Sequence, residues 1–313
     1  MRIAVLSRSR TLYSTNRLLE AGRRRGHRML IIDTMQAARY LGIAPRFDGN
    51  RGASRRSSNR FRHALPRVDA IIPRIGASIT RYGIAVVQQY EARDALTTAP
   101  SRGIENSRDK LQSVRLMQEA QLPLPRTVLI SRLDELASAV QSAGDYPVVI
   151  KITKGTQGRG VILAHNRATA RAVLSIFFRH GHRPILLQEF ISEANGHDIR
   201  MLVVGNRCVA AMERVAASGE FRANLHRGGT AAPFVPDRRA ERLALEATAL
   251  HKLGVAGVDL IYSQRGPLLL EVNSSPGLEG IERATHADVA GEIMRFLEKA
   301  RREKGRRQRA GGY

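Results

Sequence analysis

The stretch of residues 257–273 constrains the possible fold of this chain more than any other. It consists of two apolar runs separated by a polar turn that contains Gly and Pro, which is the signature of a β-hairpin. Side chains two residues apart on a strand share a face, so Glu271 and Asn273 point the same way. The hairpin therefore presents a polar pair on a segment that is otherwise apolar.

The register of this hairpin decides whether it can hold a metal ion. Pairing of Tyr262 with Leu268 would place Asp259 directly opposite Glu271. Two carboxylates that face each other across a β-ladder repel each other. An apolar hairpin would therefore carry both of them on one face only if a cation were bound between them. Carboxylate and amide oxygens suit a Mg²⁺ ion that also holds substrate phosphates. We predict a metal site at Asp259, Glu271 and Asn273; the alternative is the solvent-facing side of an edge hairpin.

The N-terminal part alternates strands and helices. Apolar runs at 2–6 and 29–32 flank a helical pattern over 14–25, which predicts a parallel α/β sheet. A further buried strand at 68–72 leads into Arg74. Ligands of open α/β sheets gather at the carboxyl ends of strands, so Arg74 is a candidate for binding a substrate anion. A surface salt bridge is the alternative for this arginine.

A glycine-rich segment, 154–160, lies between two apolar strands and includes Gly155 and Gly158. The strand before it, 146–151, ends on Lys151. Backbone N–H groups in such a turn can close on an anion, and a lysine beside them favours phosphate. The Walker ending is absent and a strand follows, so the segment is not a P-loop. An ordinary glycine-rich hairpin turn remains the alternative.

Two more groups of polar residues stand out in the second half of the chain. Asp198 and Arg200 share a face of the strand predicted at 198–204. The segment 221–229 is dense in cationic and amide donors, ends in two glycines and includes Arg227. This composition favours a loop that holds an anion, with an ordinary basic loop as the alternative.

Composition narrows the class of protein. The 313 residues suffice for two or three domains, and 43% hydrophobic residues indicate a folded chain. No apolar run approaches the roughly 18–20 residues that span a bilayer, and no signal peptide is recognisable. The single cysteine, Cys208, excludes an intramolecular disulfide and a thiolate zinc site. We therefore expect a cytoplasmic protein without a membrane partner.

The net charge of +23 predicts attraction to polyanions. Only six of the 51 basic residues are lysines, and this excess of arginine can also reflect the base composition of a genome. An aromatic content of 5% without tryptophan argues against stacking on single-stranded nucleic acid. Charge alone therefore does not identify a partner.

Taken together, these residues resemble the ATP-grasp superfamily in order and spacing, and within it the RimK family of ribosomal protein–glutamate ligases. The resemblance covers about residues 1–297. It rests on Lys110, Lys151, 154–160, 188–191, Asp259 and 271–273, with matching stretches at 3–8, 11–14, 72–76, 221–229 and 271–280. The combination is specific, whereas no single piece is.

The resemblance implies an ATP-grasp fold of α/β and α+β parts with an N-terminal parallel α/β (pre-ATP-grasp) domain. The implied bounds are 1–97 for that domain, 98–183 for the lid subdomain and 184–297 for the C-terminal subdomain with the metal site. Residues 298–313 would be a basic, disordered tail. The chain departs from the family in a basic insertion at 46–67 with seven arginines, in Arg159 and in this tail.

The resemblance also implies roles for individual residues. Glu189 and Phe190 would lie along the adenine, and Asp198 would hold the ribose. Arg200 and Arg222 would stabilise charge during catalysis. The full implied nucleotide set is Lys110, Lys151, Gly155, Gly158, Glu189, Phe190, Asp198, Arg222, Ala223 and Asn224, with Asp259, Glu271 and Asn273 for metal and Arg74 and Arg227 for substrate.

The implied activity is an ATP-dependent, ADP-forming ligation of L-glutamate to the C-terminal carboxylate of a small-subunit ribosomal protein through an acylphosphate. It would use ATP and two Mg²⁺ or Mn²⁺ ions, in a homotetramer that associates with the ribosome. No residue stands out as the base that deprotonates the amine. Alternatives are a related ligase for a small-molecule carboxylate or for poly-α-glutamate, a non-enzymatic ribosome- or RNA-binding protein, and a nucleotide sensor.

Overall fold

Among the described residues of the computed structural model, three β-sheets set the architecture. These residues are 1–38, 65–153, 160–181, 184–223, 225 and 228–310. They fall into two compact units, one formed by residues 1–101 with 294–313 and the other by residues 102–293.

The first unit contains a parallel four-stranded sheet in the order β2-β1-β3-β4. Its two central strands are apolar and largely buried, and the order of strands and helices follows the predicted strand–helix–strand opening. The elements are β1 Arg2–Leu6, α1 Tyr13–Arg24, β2 Arg28–Ile32, α2 Thr34–Ala38, β3 Ala70–Pro73, α3 Thr80–Glu91 and β4 Leu96–Thr97.

The second unit contains two antiparallel sheets, which we call the lid sheet and the metal sheet. The lid sheet has the order β5-β8-β6-β7 and packs on two helices through a continuous apolar core. Its elements are β5 Thr127–Ile130, α6 Leu136–Ala143, β6 Val148–Ile152, β7 Val161–Ala164, α7 Arg167–Arg179 and β8 Ile185–Glu189. We predicted the boundary between the lid subdomain and the C-terminal subdomain at 183/184. Strand β8 follows that boundary, yet it pairs with β5 and β6 of the lid sheet.

The metal sheet has the order β11-β10-β9-β12-β13. Gly205 and Asn206 form the two-residue turn between β9 and β10. The elements are β9 His197–Val204, β10 Arg207–Val215, β11 Thr230–Pro233, α8 Arg238–Leu250, β12 Val255–Ser263, β13 Gly266–Asn273 and α9 Glu279–Thr285.

Two helices early in the second unit pack with the metal sheet. They are α4 (Ser101–Arg108), whose Gly103 lies against Leu253, and α5 (Lys110–Glu119). Buried Ser113 on α5 hydrogen-bonds with His251 at the end of α8. Residues that precede the lid sheet therefore contribute to the support of the metal sheet.

The predicted hairpin forms, but its register near the turn differs from our expectation. Tyr262 pairs with Pro267 rather than with Leu268. An extra residue, Leu270, forms a β-bulge that shifts the register by one and brings Asp259 opposite Glu271. The predicted carboxylate pair is therefore correct, while the pairing from which it was deduced is wrong.

The prediction of a disordered tail from residue 298 is also wrong, because helix α10 runs from Val289 to Ala310. Its apolar face is buried through Leu297, and ion pairs continue beyond it. Arg301 pairs with Asp69, and Lys304 binds both the carboxylate and the carbonyl oxygen of Asp94. The basic composition that suggested disorder instead supplies partners for acidic groups of the first unit.

Candidate active site

A row of charged side chains crosses one face of the metal sheet. On one rung Arg200 of β9, Asp259 of β12 and Glu271 of β13 stand opposite one another. On the next rung of the same face, Asp198 of β9 stands opposite Arg214 of β10. We call these five residues the charged row. Strand pairing alone therefore brings two of the predicted metal residues together with the predicted ribose residue, Asp198, and the predicted catalytic residue Arg200.

Ion pairs bind this row into one network. Arg200 donates Nε and Nη2 to the two carboxylate oxygens of Asp259, at 2.7 and 2.6 Å. Arg214 donates Nε and Nη2 to the two oxygens of Asp198, at 2.6 and 2.8 Å, and Nη2 also reaches Asp259 at 3.0 Å. Such bidentate contacts fix both orientation and distance.

The network shifts the pKa of each member in a direction that follows from its partners. Burial alone would raise the pKa of Asp259, but Arg200 and Arg214 outweigh it and hold it well below its usual range. Burial raises the pKa of Asp198, because Arg214 is shared between two carboxylates and compensates it only in part. Burial would lower the pKa of Arg214, but Asp259 and Asp198 raise it.

Lys151 brings a cation from the lid sheet towards this face. Its ammonium donates to Gln188 Oε1, and Gln188 Nε2 donates to Thr127 Oγ1 at 2.9 Å. Burial lowers the pKa of Lys151 to about 8, and neighbouring Lys110 acts in the same direction, whereas Glu271 and Asp259 oppose the shift. The structure thus groups two lysines predicted to bind nucleotide with two carboxylates predicted to bind metal.

Arg108 at the end of α4 adds a further cation. Burial lowers its pKa, and the nearby carboxylate of Glu271 opposes this shift. Arg108, Lys110, Lys151, Arg200 and Arg214 therefore surround three carboxylates, those of the charged row. Five cationic groups against three anionic ones leave an excess of positive charge, as a site for a polyphosphate requires.

The donor chemistry of β12 and β13 fits a hard divalent cation. Asp259 and Glu271 supply carboxylate oxygens, and the side-chain oxygen of Asn273, on the same face as Glu271, accepts from the Ser275 backbone N–H at 2.9 Å. No group of three His, Cys, Asp or Glu residues suited to a metal is found in the described ranges, so this site depends on the amide oxygen of Asn273 as its third donor. These three residues would hold a divalent metal ion, which would neutralise phosphate charge.

Glu189 lies where the lid sheet meets the metal sheet. Its Oε1 accepts from Arg126 Nη2 at 3.1 Å, and its Oε2 accepts from the Arg126 backbone N–H at 2.9 Å. Arg265, at the turn of the metal hairpin, also donates to Oε2. Burial raises the pKa of Glu189, but these arginines lower it more. Its carboxylate therefore ties the two sheets together, which the implied adenine role does not describe.

Arg222 follows β10 in a loop that reaches the lid sheet. It pairs with Glu220 through Nε and Nη2, at 2.9 and 2.6 Å, and Nη1 donates to the Val161 carbonyl at 3.1 Å. The same contact with Arg222 lowers the pKa of Glu220 to about 2. The Arg222 guanidinium also lies 5.1 Å from the centre of the Phe221 ring.

The other predicted site residues take different places. Phe190 packs edge-on against Phe221 with ring centres 6.4 Å apart, and Ala223 is buried. Arg74 follows β3 in the first unit, and its backbone N–H donates to Leu6 O at the end of β1. Gly155, Gly158, Asn224 and Arg227 lie outside the described residues, as does the 46–67 insertion apart from 65–67.

Sequence reasoning missed three residues of the site. Arg214 was not predicted as a site residue, because its position opposite Asp198 depends on the pairing of β9 with β10. That pairing includes a shift of register near Cys208. Gln188 lies in the stretch 188–191 that carries the family resemblance, but no role was assigned to it, because its contact with Lys151 depends on the pairing of β8 with β6. Arg265 looked like an ordinary turn residue.

Comparison with known proteins agrees with this geometry. Residues 1–104 match the family model of the RimK pre-ATP-grasp domain, and residues 107–297 match that of the RimK-like ATP-grasp domain. A protein of Shewanella loihica, named a probable alpha-L-glutamate ligase, is 46% identical over 312 residues, which cover 100% of both chains.

Solved structures share the fold. A RimK-domain ATP-grasp protein of Sphaerobacter thermophilus has a TM-score of 0.71 and 21% identity, with 95% of this chain and 99% of that chain covered. The D-alanine–D-alanine ligase of Bacillus anthracis complexed with ATP has a TM-score of 0.68 and 14% identity, with 97% and 99% covered.

A lid sheet in contact with a sheet that carries hard oxygen donors and cations is typical of the ATP-grasp ligases, enzymes that join a carboxylate to an amine with ATP and divalent metal ions. Both family models together cover nearly the whole chain, and the chain belongs to the RimK family of this class. In the described part of the chain, no helix is long and apolar enough to cross a membrane.

Proposed function

We propose that this enzyme adds L-glutamate to the C-terminal carboxylate of a polypeptide, with a small-subunit ribosomal protein as its acceptor. The observation that carries the proposal is the charged row, in which Arg200, Asp259 and Glu271 share one rung beside Lys151. Full-length similarity to a protein named an alpha-L-glutamate ligase supports the choice of amino acid.

The reaction requires ATP because a carboxylate has no leaving group that an amine could displace. An oxygen of the acceptor carboxylate attacks the γ-phosphorus of ATP, and the bond to ADP breaks. The amine of glutamate then attacks the acyl carbon, phosphate leaves, and the nitrogen loses a proton to give the amide. Catalysis of this sequence consists mainly of positioning and of neutralising charge.

Different residues of the chain would bind the phosphates, stabilise the developing charge and bind the ribose. Lys110 and Lys151 would hold nucleotide phosphates, because their ammonium groups lie close together beside the two metal carboxylates. Arg200 and Arg222 would stabilise negative charge on the transferred phosphoryl group and on the oxyanion. Asp198 would accept from the ribose hydroxyls. Arg222 would also keep the loop after β10 close to β7 through Val161.

The remaining members of the predicted set have supporting roles. Phe190, Ala223 and the backbone at Glu189 would line the nucleotide, together with Gly155, Gly158 and Asn224. Two Mg²⁺ or Mn²⁺ ions at Asp259, Glu271 and Asn273 would neutralise the phosphates. Arg74 and Arg227 would attract the acidic acceptor. A cytoplasmic homotetramer associated with the ribosome completes the proposal, and light scattering and ribosome co-sedimentation test those two points.

The deciding experiment is the intact mass of small-subunit ribosomal proteins after incubation with the enzyme, ATP, Mg²⁺ and glutamate. The proposal predicts a ladder spaced by one glutamyl residue on one of these proteins. The ladder should be absent with Asp259→Ala/Glu271→Ala and when another amino acid replaces glutamate.

Other outcomes redirect the proposal. Release of ADP without a change in any ribosomal protein mass would reject that acceptor and favour a small-molecule carboxylate or poly-α-glutamate. Absence of ADP release, with salt-sensitive binding to ribosomes or RNA, would favour a binding protein.

A further inference from the structure

Arg214 is the most enclosed member of the charged row. Its side chain is only 3% exposed, and it stands directly opposite Asp198 on the neighbouring strand. Its guanidinium divides its contacts between two carboxylates: two bonds go to Asp198 and one goes to Asp259. It therefore joins two side chains that belong to different strands and to different predicted ligands.

Arg200 differs from Arg214 in both respects. Its Nε and Nη2 both bind the same carboxylate, Asp259, and its side chain is 19% exposed. It can turn away from Asp259 towards a phosphate without breaking a contact with a second carboxylate in its fork. Arg214 cannot move without disturbing both carboxylates.

We infer that Arg214 is a positioning residue that ties the ribose carboxylate, Asp198, to the metal carboxylate, Asp259, and so fixes the spacing between sugar and metal ion. The inference rests on the proposed nucleotide site. A planar guanidinium can bind two carboxylates at once in a set geometry, whereas an ammonium acts as a single point charge. Without Arg214 the carboxylates of buried Asp259 and half-buried Asp198 would repel and move apart.

This arrangement has opposite consequences for the two ligands. Arg214 competes with a metal ion for Asp259 Oδ2, so it weakens the binding of a metal ion alone. It holds Asp198 in place, so it strengthens the binding of the sugar. Loss of its charge should therefore tighten the binding of metal and weaken that of nucleoside, whereas loss of a merely structural contact would weaken both.

The test uses the full-length protein, Mn²⁺ alone and adenosine alone, because adenosine carries the ribose without any phosphate. Mn²⁺ binding is followed by the electron paramagnetic resonance of the free ion, and adenosine binding by equilibrium dialysis. For Arg214→Met we expect adenosine to bind about tenfold more weakly, the size of one lost bond to a charged group, and Mn²⁺ to bind more tightly.

Two further variants separate charge from geometry. Arg200→Met also frees Asp259 but leaves the Asp198 pair intact, so Mn²⁺ should bind more tightly while adenosine binds as in wild type. Arg214→Lys keeps the charge, so Mn²⁺ binding should be unchanged while adenosine binding is weakened. Arg214→Lys also serves if Arg214→Met does not fold, which circular dichroism and thermal melting would show.

Wild-type adenosine affinity in both Arg214 variants would overturn the inference, and so would weaker binding of both ligands by folded Arg214→Met. These results leave the proposed ligase intact if wild-type protein still releases ADP. A wild-type protein that neither binds adenosine nor releases ADP would overturn the proposed function and this inference together.

Discussion

Lys151, which we propose to hold a nucleotide phosphate, has an unusually acidic ammonium group. Burial, reinforced by Lys110, lowers its pKa to about 8 from an ordinary value of 10.5. Between these two values the unfolded chain binds the proton more tightly, so this group alone makes the fold more stable as pH rises through that window. Phosphate binding has the opposite preference, because it requires the charged form.

We therefore expect the affinity for ADP without metal to fall as pH rises from 7 to 9, when Lys151 loses its proton. Lys151→Arg should bind ADP with little dependence on pH, because a guanidinium keeps its charge throughout this range. Lys151→Met should bind weakly at every pH. Isothermal titration calorimetry at three pH values would measure the affinity for ADP. If the affinity of Lys151→Arg depends on pH as that of wild type does, a group other than Lys151 is responsible.

Asp259 and Glu271 face each other but differ in their surroundings, which gives a matched pair of variants. Asp259 is buried between two arginines, whereas Glu271 is exposed. Asp259→Asn should lower the free energy of unfolding by about 3 kcal/mol, because the buried guanidinium of Arg214 and the half-buried one of Arg200 lose their shared anion. Glu271→Gln should change it by less than about 0.5 kcal/mol.

Both variants should lose ATP turnover, since both carboxylates are proposed metal ligands. Urea denaturation measures the first difference, and release of ADP measures the second. Equal stability of the two variants would mean that the ion pairs of Asp259 contribute nothing net to the fold.

At the scale of elements, helices α5 and α8 are joined by a buried histidine. His251 is fully buried, its Nδ1–H donates to the Ala247 carbonyl at 2.8 Å, and its Nε2 accepts from the Ser113 hydroxyl at 2.8 Å. Burial lowers its pKa, so the neutral form is kept. Below its ordinary pKa of 6.5 the unfolded chain takes up a proton that the folded protein excludes, and stability falls.

His251→Phe should therefore lose less stability than wild type between pH 7.5 and 5.5. Ser113→Ala should cost about 1–2 kcal/mol at pH 7.5, because it leaves a buried ring nitrogen without its donor. Urea titrations at the two pH values would measure both effects. An identical pH dependence in wild type and His251→Phe would contradict the assignment.

Helix α10 offers a second prediction at this scale. Met294 and Leu297 are fully buried, whereas the last turns contribute surface ion pairs such as that of Arg301 with Asp69. Truncation after Ala300 should cost about 1 kcal/mol or less, because exposed ion pairs contribute little. Truncation after Ile293 should cost several kcal/mol through lost apolar burial. Thermal melting of the two truncated proteins measures both losses of stability. Equal losses would contradict the assignment of most of the helix's stabilisation to Met294 and Leu297.

The pattern of apolar and polar residues was enough to predict helices and strands, but it was not enough to predict the exact register in which the strands pair. Alternation along β13 put Glu271 and Asn273 on one face, and chain order predicted the parallel sheet of the first unit. The bulge at Leu270 could not be predicted, because one extra residue changes neither the polarity pattern nor the turn residues. Arg214 was missed for the same physical reason: a partner across two strands depends on register.

At the scale of the whole molecule, the sequence carries a formal net charge of +23. An acidic acceptor should be drawn to it more strongly as glutamates accumulate, and salt should screen this attraction. We expect the KM for an acceptor ending in several glutamates to rise steeply between 50 and 300 mM NaCl. The KM for an acceptor with a neutral tail should change little.

This prediction is tested by substituting the arginines of the 46–67 insertion and Arg74. Replacing them with glutamine should raise the KM for the acidic acceptor and reduce its dependence on salt. If neither quantity changes, the acidic tail is recognised elsewhere on the molecule.

The division of the chain into units shows where prediction from sequence reached its limit. Family resemblance gave the ATP-grasp fold, which the family models and solved structures bear out. It did not predict that α5 would pack against α8, nor that residues from 294 onwards would belong with the first unit. Both are contacts between segments far apart in sequence, where composition carries no information.

The discontinuity of the first unit has a consequence for how the protein is made. A chain that leaves the ribosome from its N-terminus exposes β1 to β4 early, but Met294 and Leu297 complete that unit only after all of residues 102–293 have been synthesised. The second unit, although later in the sequence, has all its residues first. We therefore expect it to become resistant to protease on stalled ribosomes before the first unit does, which reverses the usual N-to-C order of folding during translation.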